Sequence, residues 1–78
     1  MFAAGSEPIK NISARNQLVG TITSIKEGAV NGHVALELAD GNKVIGSITN
    51  EAIESLGLVE GEKAVAIIKS TDVMVGVE

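Results

Sequence analysis

An alternating stretch followed by an Asp-Gly pair constrains the fold of this chain most. Within residues 30–38, apolar side chains at every second position alternate with polar or small ones, and the apolar set is Val34, Leu36 and Leu38. A period of two is that of a strand with one buried face. Asp40-Gly41 follows and is a strong hairpin signal, and residues 43–48 supply a return strand. The sequence therefore predicts an antiparallel hairpin over residues 30–48.

Three further β-like runs and one helix complete the pattern. Residues 17–26 are rich in β-branched side chains, residues 63–69 form an apolar run typical of a strand covered on both faces, and residues 73–77 predict a last strand. A short helix is predicted over residues 49–57, with Thr49 or Asn50 as N-cap, Gly57 as its end, and Ile53 and Leu56 facing the core. Five strands with a helix after the third predict an all-β fold with one short helix, a five-stranded OB-like Greek-key barrel.

The first eleven residues differ from the rest of the chain. Gly5 and Pro8 interrupt regular structure, so we predict that residues 1–11 form an N-terminal tail and residues 12–78 the domain. Phe2 is the only aromatic residue and lies in the tail, so an aliphatic core is expected. A chain of 78 residues without cysteine is marginally stable as one copy and has no disulfide to stabilise it. Self-association is therefore expected.

Charge and composition exclude several classes of function. The ten acidic residues outnumber the six basic ones, giving a net charge of −4. This balance argues against nucleic-acid or membrane-surface binding, and an OB fold that binds nucleic acid also needs stacking aromatic residues. No apolar run approaches the roughly 18 residues of a transmembrane helix, so a cytoplasmic protein is expected. One histidine and no cysteine make a site for a free metal cation improbable, and no nucleophile and base pair suggests an enzyme.

A cluster of hydrogen-bond donors stands directly before the first predicted strand of the domain. Ser13, Arg15, Asn16 and Gln17 can all donate, and no acidic residue lies among them. One interpretation is half of an oxyanion site, with Thr49, Lys69 and Ser70 as the other half. The alternative is a polar entry to a strand, with Thr49 acting only as a helix cap and Lys69 only as a solvated lysine. Composition alone favours the polar entry to a strand.

Five stretches in register resemble one family. Ser13-Ala14-Arg15-Asn16-Gln17-Leu18-Val19-Gly20 resembles the opening signature of the molbindins, the Mop domain of molybdate-binding proteins. Four later stretches are similar to the family pattern in the same order: Gly28-Ala29-Val30-Asn31, Ile48-Thr49, Leu56-Gly57-Leu58 and Ile68-Lys69-Ser70-Thr71-Asp72-Val73-Met74. The resemblance implies an OB-like fold, a hexamer built as a trimer of dimers, and molybdate or tungstate bound at subunit interfaces without catalysis. It also implies a role in intracellular molybdenum storage, buffering or homeostasis.

The resemblance also implies which residues bind the ligand. Ser13, Arg15 and Asn16 would come from one subunit, and Thr49, Lys69 and Ser70 from another. A second oxyanion site would involve Val30 and Asn31, largely through backbone groups. Some relatives have a serine at the position of Ala52, so here one hydroxyl donor is missing and its duty falls to Asn50 or a water.

The residue types suit such a ligand. Molybdate and tungstate are tetrahedral dianions whose oxygens only accept hydrogen bonds, and the predicted set contains donors and no carboxylate. A donor-only site would disfavour monohydrogen phosphate, which carries a proton that needs an acceptor. The alternative function is an oligomerisation or regulatory OB-like module with weak or no ligand binding, and Ala52 is the one feature in its favour.

Overall fold

The structure, a computed structural model, describes residues 1–78 and contains five strands and one short helix. The strands are β1 (Phe2–Ala4), β2 (Asn16–Glu27), β3 (Asn31–Leu38), β4 (Lys43–Thr49) and β5 (Lys63–Ile68). The helix α1 (Asn50–Ser55) lies between β4 and β5, and a single 3-10 turn, Ser70–Asp72, follows β5. The helix is neither long nor apolar enough to cross a membrane.

All five strands form one antiparallel sheet in the order β1-β5-β2-β3-β4. Strands β2, β3 and β4 follow one another as neighbours, and β5 returns after α1 to pair with the far side of β2. This arrangement of four strands is a Greek key. The sheet curls into a half-barrel, so the predicted all-β, OB-like fold with one short helix is confirmed.

The local signals account for the hairpin and the helix. Gly41 has a φ of +90°, which favours glycine, and the Leu38 N–H donates to the Asn42 carbonyl (2.8 Å) to close the turn between β3 and β4. The Asp40 carboxylate accepts from the backbone and side-chain N–H groups of Asn42, and these bonds hold the pKa of Asp40 below its ordinary value. The Thr49 hydroxyl accepts from the Ala52 N–H (3.1 Å), so Thr49 is the N-cap.

The core lies in the concave face of the curled sheet, and the helix covers one end of it. Its main cluster consists of Phe2, Ile22, Val34, Leu36, Ile53, Leu58, Ala64 and Ala66. Val65 and Ile67 are also buried, so four successive residues of β5 are inaccessible. The prediction that this strand is covered on both faces is confirmed. On the helix side, Leu58 occupies the core position expected of Leu56, which is partly exposed.

The expectation of a core without aromatic residues is wrong. Phe2 is only 2% exposed, and β1 pairs antiparallel with β5 so that Phe2 lies opposite Ala66. The ring contacts Gly46 of β4, where an added Cβ would lie 2.6 Å from a ring carbon. Phe2 thereby connects the two edge strands of the sheet, β1 and β4. The sequence pattern missed this strand because it is three residues long and isolated from other apolar runs. The division of the chain at residue 12 stays a prediction about domain organisation.

The predicted last strand is also wrong for the single chain. Residues 73–78 have no regular secondary structure, and Met74, Val75 and Val77 are each at least 90% exposed. The fifth strand of the sheet is therefore β1, and α1 follows the fourth strand of the chain, whereas the sequence predicted it after the third. A strand needs a neighbour for its backbone hydrogen bonds, and within one chain this segment has none.

Candidate functional site

A surface hollow brings together most of the predicted ligand residues. Its volume is about 480 Å³. Its polar lining comes from two segments that are distant in the sequence: Ser13, Arg15 and Asn16 before and at the start of β2, and Lys69, Ser70, Thr71 and Asp72 after β5. Met1, Ile12, Ala14 and Ile67 complete the lining. We call this the Arg15–Lys69 hollow.

The pairing of β2 with β5 creates the hollow. The two strands are antiparallel, and Asn16 lies opposite Ile68 at the end of their ladder. The residues that precede β2 and the residues that follow β5 must therefore leave the sheet at the same end of these two strands. Arg15 and Lys69 are the next residues out on the two strands, which explains why side chains 54 positions apart in the sequence line one hollow.

Gln17 holds one wall of the hollow in place. Its side-chain oxygen accepts from the Ile9 N–H (2.6 Å), and its side-chain nitrogen donates to the carbonyls of Ile9 (2.9 Å) and Ala14 (3.2 Å). The carboxamide thus fastens the irregular segment before β2 to the strand. Gln17 is a positioning residue, and its amide is occupied by the backbone.

The other polar side chains are available to a ligand. Five side chains make no hydrogen bond within the chain: Ser13, Arg15, Asn16, Lys69 and Ser70. These five residues are exposed, so their donors face water. Arg15 supplies a planar fork of N–H groups and Lys69 a point charge. Such a set can form charge-assisted hydrogen bonds to a tetrahedral oxyanion.

One residue of the hollow departs from the donor-only expectation. Asp72 also lines the hollow, and its backbone N–H donates to the Lys69 carbonyl (2.9 Å) to close the 3-10 turn. Its side chain carries an acceptor, so the residues that line the hollow are not all donors. The argument that such a site rejects monohydrogen phosphate assumed a lining without a carboxylate, and it stays a prediction. Sequence proximity to Lys69 and Ser70 was the signal that could have found Asp72 and Thr71.

Thr49 lies in a different place from the other predicted ligands. It does not line the Arg15–Lys69 hollow, and it lies opposite Asn31 across the β3–β4 ladder. Lys69 and Ser70, expected from the same subunit as Thr49, instead share a hollow with Ser13, Arg15 and Asn16 of their own chain. Within one chain the predicted set therefore divides into five residues at the hollow and Thr49 at the start of α1.

Asn50 connects the start of α1 to the turn before β3. Its backbone N–H donates to the Val30 carbonyl (2.8 Å), and its side-chain nitrogen donates to the Gly28 carbonyl (2.8 Å). The other side-chain atom, Oδ1, is buried without a hydrogen-bond partner. Val30 and Asn31, the predicted second site, thus lie beside Thr49 and Asn50. The Val30 carbonyl is occupied by Asn50, while the Val30 side chain is 69% exposed.

No group of three or more His, Asp or Glu side chains is placed to hold a metal ion. The chain is thus a small OB-like half-barrel with a surface hollow whose lining is rich in hydrogen-bond donors. Comparison with known proteins shows the family to which this fold belongs. The TOBE domain family matches residues 12–75 of the chain.

The names of several similar proteins refer to molybdenum or molybdate. Molybdenum-pterin-binding protein 1 of Clostridium pasteurianum is 48% identical over 65 residues, which cover 83% of this chain and 96% of the relative. The solved structure of MopII from the same organism superimposes with a TM-score of 0.81 at 46% identity, over 86% of this chain and all of MopII. The cytoplasmic molybdate-binding protein ModG, solved with molybdate bound, gives a TM-score of 0.89 at 40% identity, over all of this chain and 55% of ModG.

The chain therefore belongs to the TOBE domain family and, within it, to the molbindins. The family resemblance predicted from the sequence is confirmed.

Proposed function

We propose that this chain binds molybdate or tungstate in the Arg15–Lys69 hollow. The observation that carries the proposal is the meeting of unoccupied donors from two remote segments, Ser13, Arg15 and Asn16 with Lys69 and Ser70, in one hollow. The name of ModG as a molybdate-binding protein supports molybdate as the ligand. The proposed activity is binding without catalysis.

The proposal includes assembly of several copies. Thr49 lies away from the hollow of its own chain, so it can contribute to the site only from a second copy. We propose a homo-oligomer, a hexamer arranged as a trimer of dimers, in which sites lie at subunit interfaces. A second oxyanion site at Val30 and Asn31 belongs to the same proposal. Because a ligand that binds only the assembled protein stabilises it by mass action, oxyanion and assembly would stabilise each other.

We propose storage, buffering or homeostasis of molybdenum in the cytoplasm as the biological role. The net charge of −4 supports a partner that is a small ligand and not a nucleic acid or a membrane. A few local cations still attract an anion, because charges beyond about 8–10 Å are screened at physiological salt.

Calorimetric titration of the purified protein tests the proposal. Molybdate, tungstate, sulfate and phosphate are titrated separately, and native mass spectrometry counts subunits and bound anions. We expect binding of molybdate and tungstate to an oligomer. Arg15→Ala should weaken binding about ten- to hundredfold, because hydrogen bonds to charged groups contribute about 1.5–3 kcal/mol.

A matched control separates the site from general charge. Lys69→Ala should weaken binding as Arg15→Ala does, whereas Lys26→Ala removes an exposed lysine outside the hollow and should leave the affinity unchanged. Arg15→Lys keeps the charge but loses the fork and should bind with intermediate affinity. If Arg15→Ala and Lys69→Ala bind molybdate as tightly as the original protein, the hollow is not the site.

A further inference from the structure

Residues 28–31 join β2 to β3 and use their carbonyl groups inside the chain. We call them the 28–31 turn. The Gly28 carbonyl accepts from the Asn50 side chain (2.8 Å), the Val30 carbonyl from the Asn50 backbone N–H (2.8 Å), and the Asn31 carbonyl from the Gly28 N–H (3.0 Å). Two of these three hydrogen bonds come from one residue, Asn50. The conformation of the turn therefore depends on a residue at the start of α1.

Two N–H groups of the same turn are left for a ligand. The backbone N–H groups of Ala29 and Val30 donate to no atom of the chain. Both residues are exposed. Successive backbone N–H groups in a turn can bind an anion, because they donate hydrogen bonds and carry partial positive charge. The turn thus has its acceptors occupied and two adjacent donors available.

The orientation of the Asn50 carboxamide follows from its contact with Gly28. A carbonyl can only accept, so the side-chain nitrogen of Asn50 must face the Gly28 oxygen, and Oδ1 is left buried without a partner. A Cβ added to Gly32 would lie 3.1 Å from this Oδ1 atom and 2.6 Å from a side-chain carbon of Ile53. The absence of a side chain at Gly32 therefore leaves the space that the carboxamide occupies.

Stability alone does not explain this carboxamide. A buried oxygen without a hydrogen-bond partner costs free energy. Gly28 is exposed, so its carbonyl would find a partner in water without Asn50. What Asn50 adds is a fixed position of the turn, because its side chain and its backbone N–H hold two carbonyls of the turn at once.

We propose that Asn50 is a positioning residue for oxyanion binding at the 28–31 turn. By holding the carbonyls of Gly28 and Val30, it keeps the N–H groups of Ala29 and Val30 available to the anion. The inference rests on the proposed function, in which a second oxyanion site lies at Val30 and Asn31. It gives Asn50 a role other than that of a replacement ligand for a missing hydroxyl, because its side chain and its backbone N–H both donate within the chain.

Titration with molybdate, followed by amide NMR spectra of the full chain, reports on each backbone N–H separately. In the original protein we expect the signals of Ala29 and Val30 to shift at the turn, and those of Asn16 and Ser70 to shift at the Arg15–Lys69 hollow. In Asn50→Ala, half-saturation at the turn should need about tenfold more molybdate, as when residues that orient metal ligands are removed. Half-saturation at the hollow should stay within about twofold, since distant sites are nearly independent.

Asn42→Ala is the matched control. Asn42 also donates a side-chain N–H within a turn, to the Asp40 carboxylate (3.0 Å), but that turn lies at the other end of β3. Its replacement should leave half-saturation unchanged at both the 28–31 turn and the hollow.

Asn50→Asp is a second variant, close in shape to the original residue. Its ionised carboxylate cannot donate to the Gly28 carbonyl, so it should weaken binding at the turn at least as much as Asn50→Ala does. Unchanged signals of Val34 and Leu36, which lie in the core, show that each variant is folded.

The outcomes separate this inference from the proposed function. Equal half-saturation of the Ala29 and Val30 signals in Asn50→Ala and in the original protein overturns the inference and leaves the proposed function standing. Shifts at the hollow without shifts at the turn in the original protein do the same. Equal weakening at both sites also overturns the inference, because Asn50 then acts through the fold as a whole. If molybdate shifts no signal of the original protein, the proposed function fails and the inference fails with it.

Discussion

Replacement of Phe2 by alanine should remove a large part of the stability of this domain. The side chain is 2% exposed, is the only aromatic ring, and joins β1 to β4. Buried Phe→Ala substitutions cost about 3–5 kcal/mol through lost transfer energy and the cavity left behind. A domain of 78 residues has a total stability of about 4–12 kcal/mol at the usual value per residue. We expect the melting temperature to fall by more than about 12 °C.

The contact between Phe2 and Gly46 allows a sharper measurement than one substitution. A Cβ added to Gly46 would lie 2.6 Å and 3.0 Å from two carbons of the ring. Gly46→Ala should therefore cost about 1–3 kcal/mol through overpacking in the original protein. In the Phe2→Ala background the obstruction is gone, so Gly46→Ala should cost little. The coupling energy of this double-mutant cycle should be about 1–3 kcal/mol.

Urea unfolding followed by far-ultraviolet circular dichroism measures these energies, because the chain has no Trp or Tyr for fluorescence. All variants are compared at one protein concentration, since association shifts apparent stability. Val59→Ala, at a half-exposed position, is the control and should change the stability by less than about 0.5 kcal/mol. If Phe2→Ala costs less than about 1 kcal/mol, or if Gly46→Ala costs the same in both backgrounds, the contact of Phe2 with β4 does not stabilise the fold and the reasoning fails.

Two further predictions follow from the hydrogen bonds. Thr49→Ala should lower the free energy of unfolding by about 1 kcal/mol, because the hydrogen bond to the Ala52 N–H is lost, and Thr49→Ser should lower it less; thermal unfolding measures both. If calorimetry below the melting temperature shows that Thr49→Ala leaves the molybdate affinity unchanged, Thr49 is a helix cap and not a ligand. The lowered pKa of Asp40 means that its ionised form stabilises the fold above the ordinary pKa of 3.8, and that this contribution is lost as the pH falls through the lowered pKa. Asp40→Asn should therefore be less stable than the original protein at pH 7 and converge with it at acid pH, and a difference that stays constant with pH would contradict the assignment.

The sequence predicted most elements within one or two residues where the signal was local. The strand expected at residues 43–48 is observed at Lys43–Thr49, and the one at residues 63–69 at Lys63–Ile68. The Asp-Gly turn is confirmed, and so are the threonine cap and Gly57 beyond the end of α1, with a φ of +66°. These features depend on side-chain period, turn geometry and capping, all of which are properties of neighbouring residues.

The features that the sequence did not predict depend on contacts between residues that are distant in the chain. Phe2 gives no periodic signal, and its burial depends on pairing with β5 more than 60 residues away in the chain. Residues 73–77 have a strand-like composition, but composition cannot say whether a neighbouring strand exists. The sequence also could not show that Asp72 shares the hollow with Arg15, because that depends on how the 3-10 turn leaves β5.

For the candidate site, the sequence determined which donors are present, and the family resemblance selected them. Only the tertiary structure decided their grouping. The pairing of Asn16 with Ile68 places Arg15 and Lys69 together at the end of β2 and β5. The β3–β4 ladder places Thr49 opposite Asn31, away from that end. The physical reason is that backbone hydrogen bonds between strands fix register across distant segments, and no local pattern encodes which strand will be the neighbour.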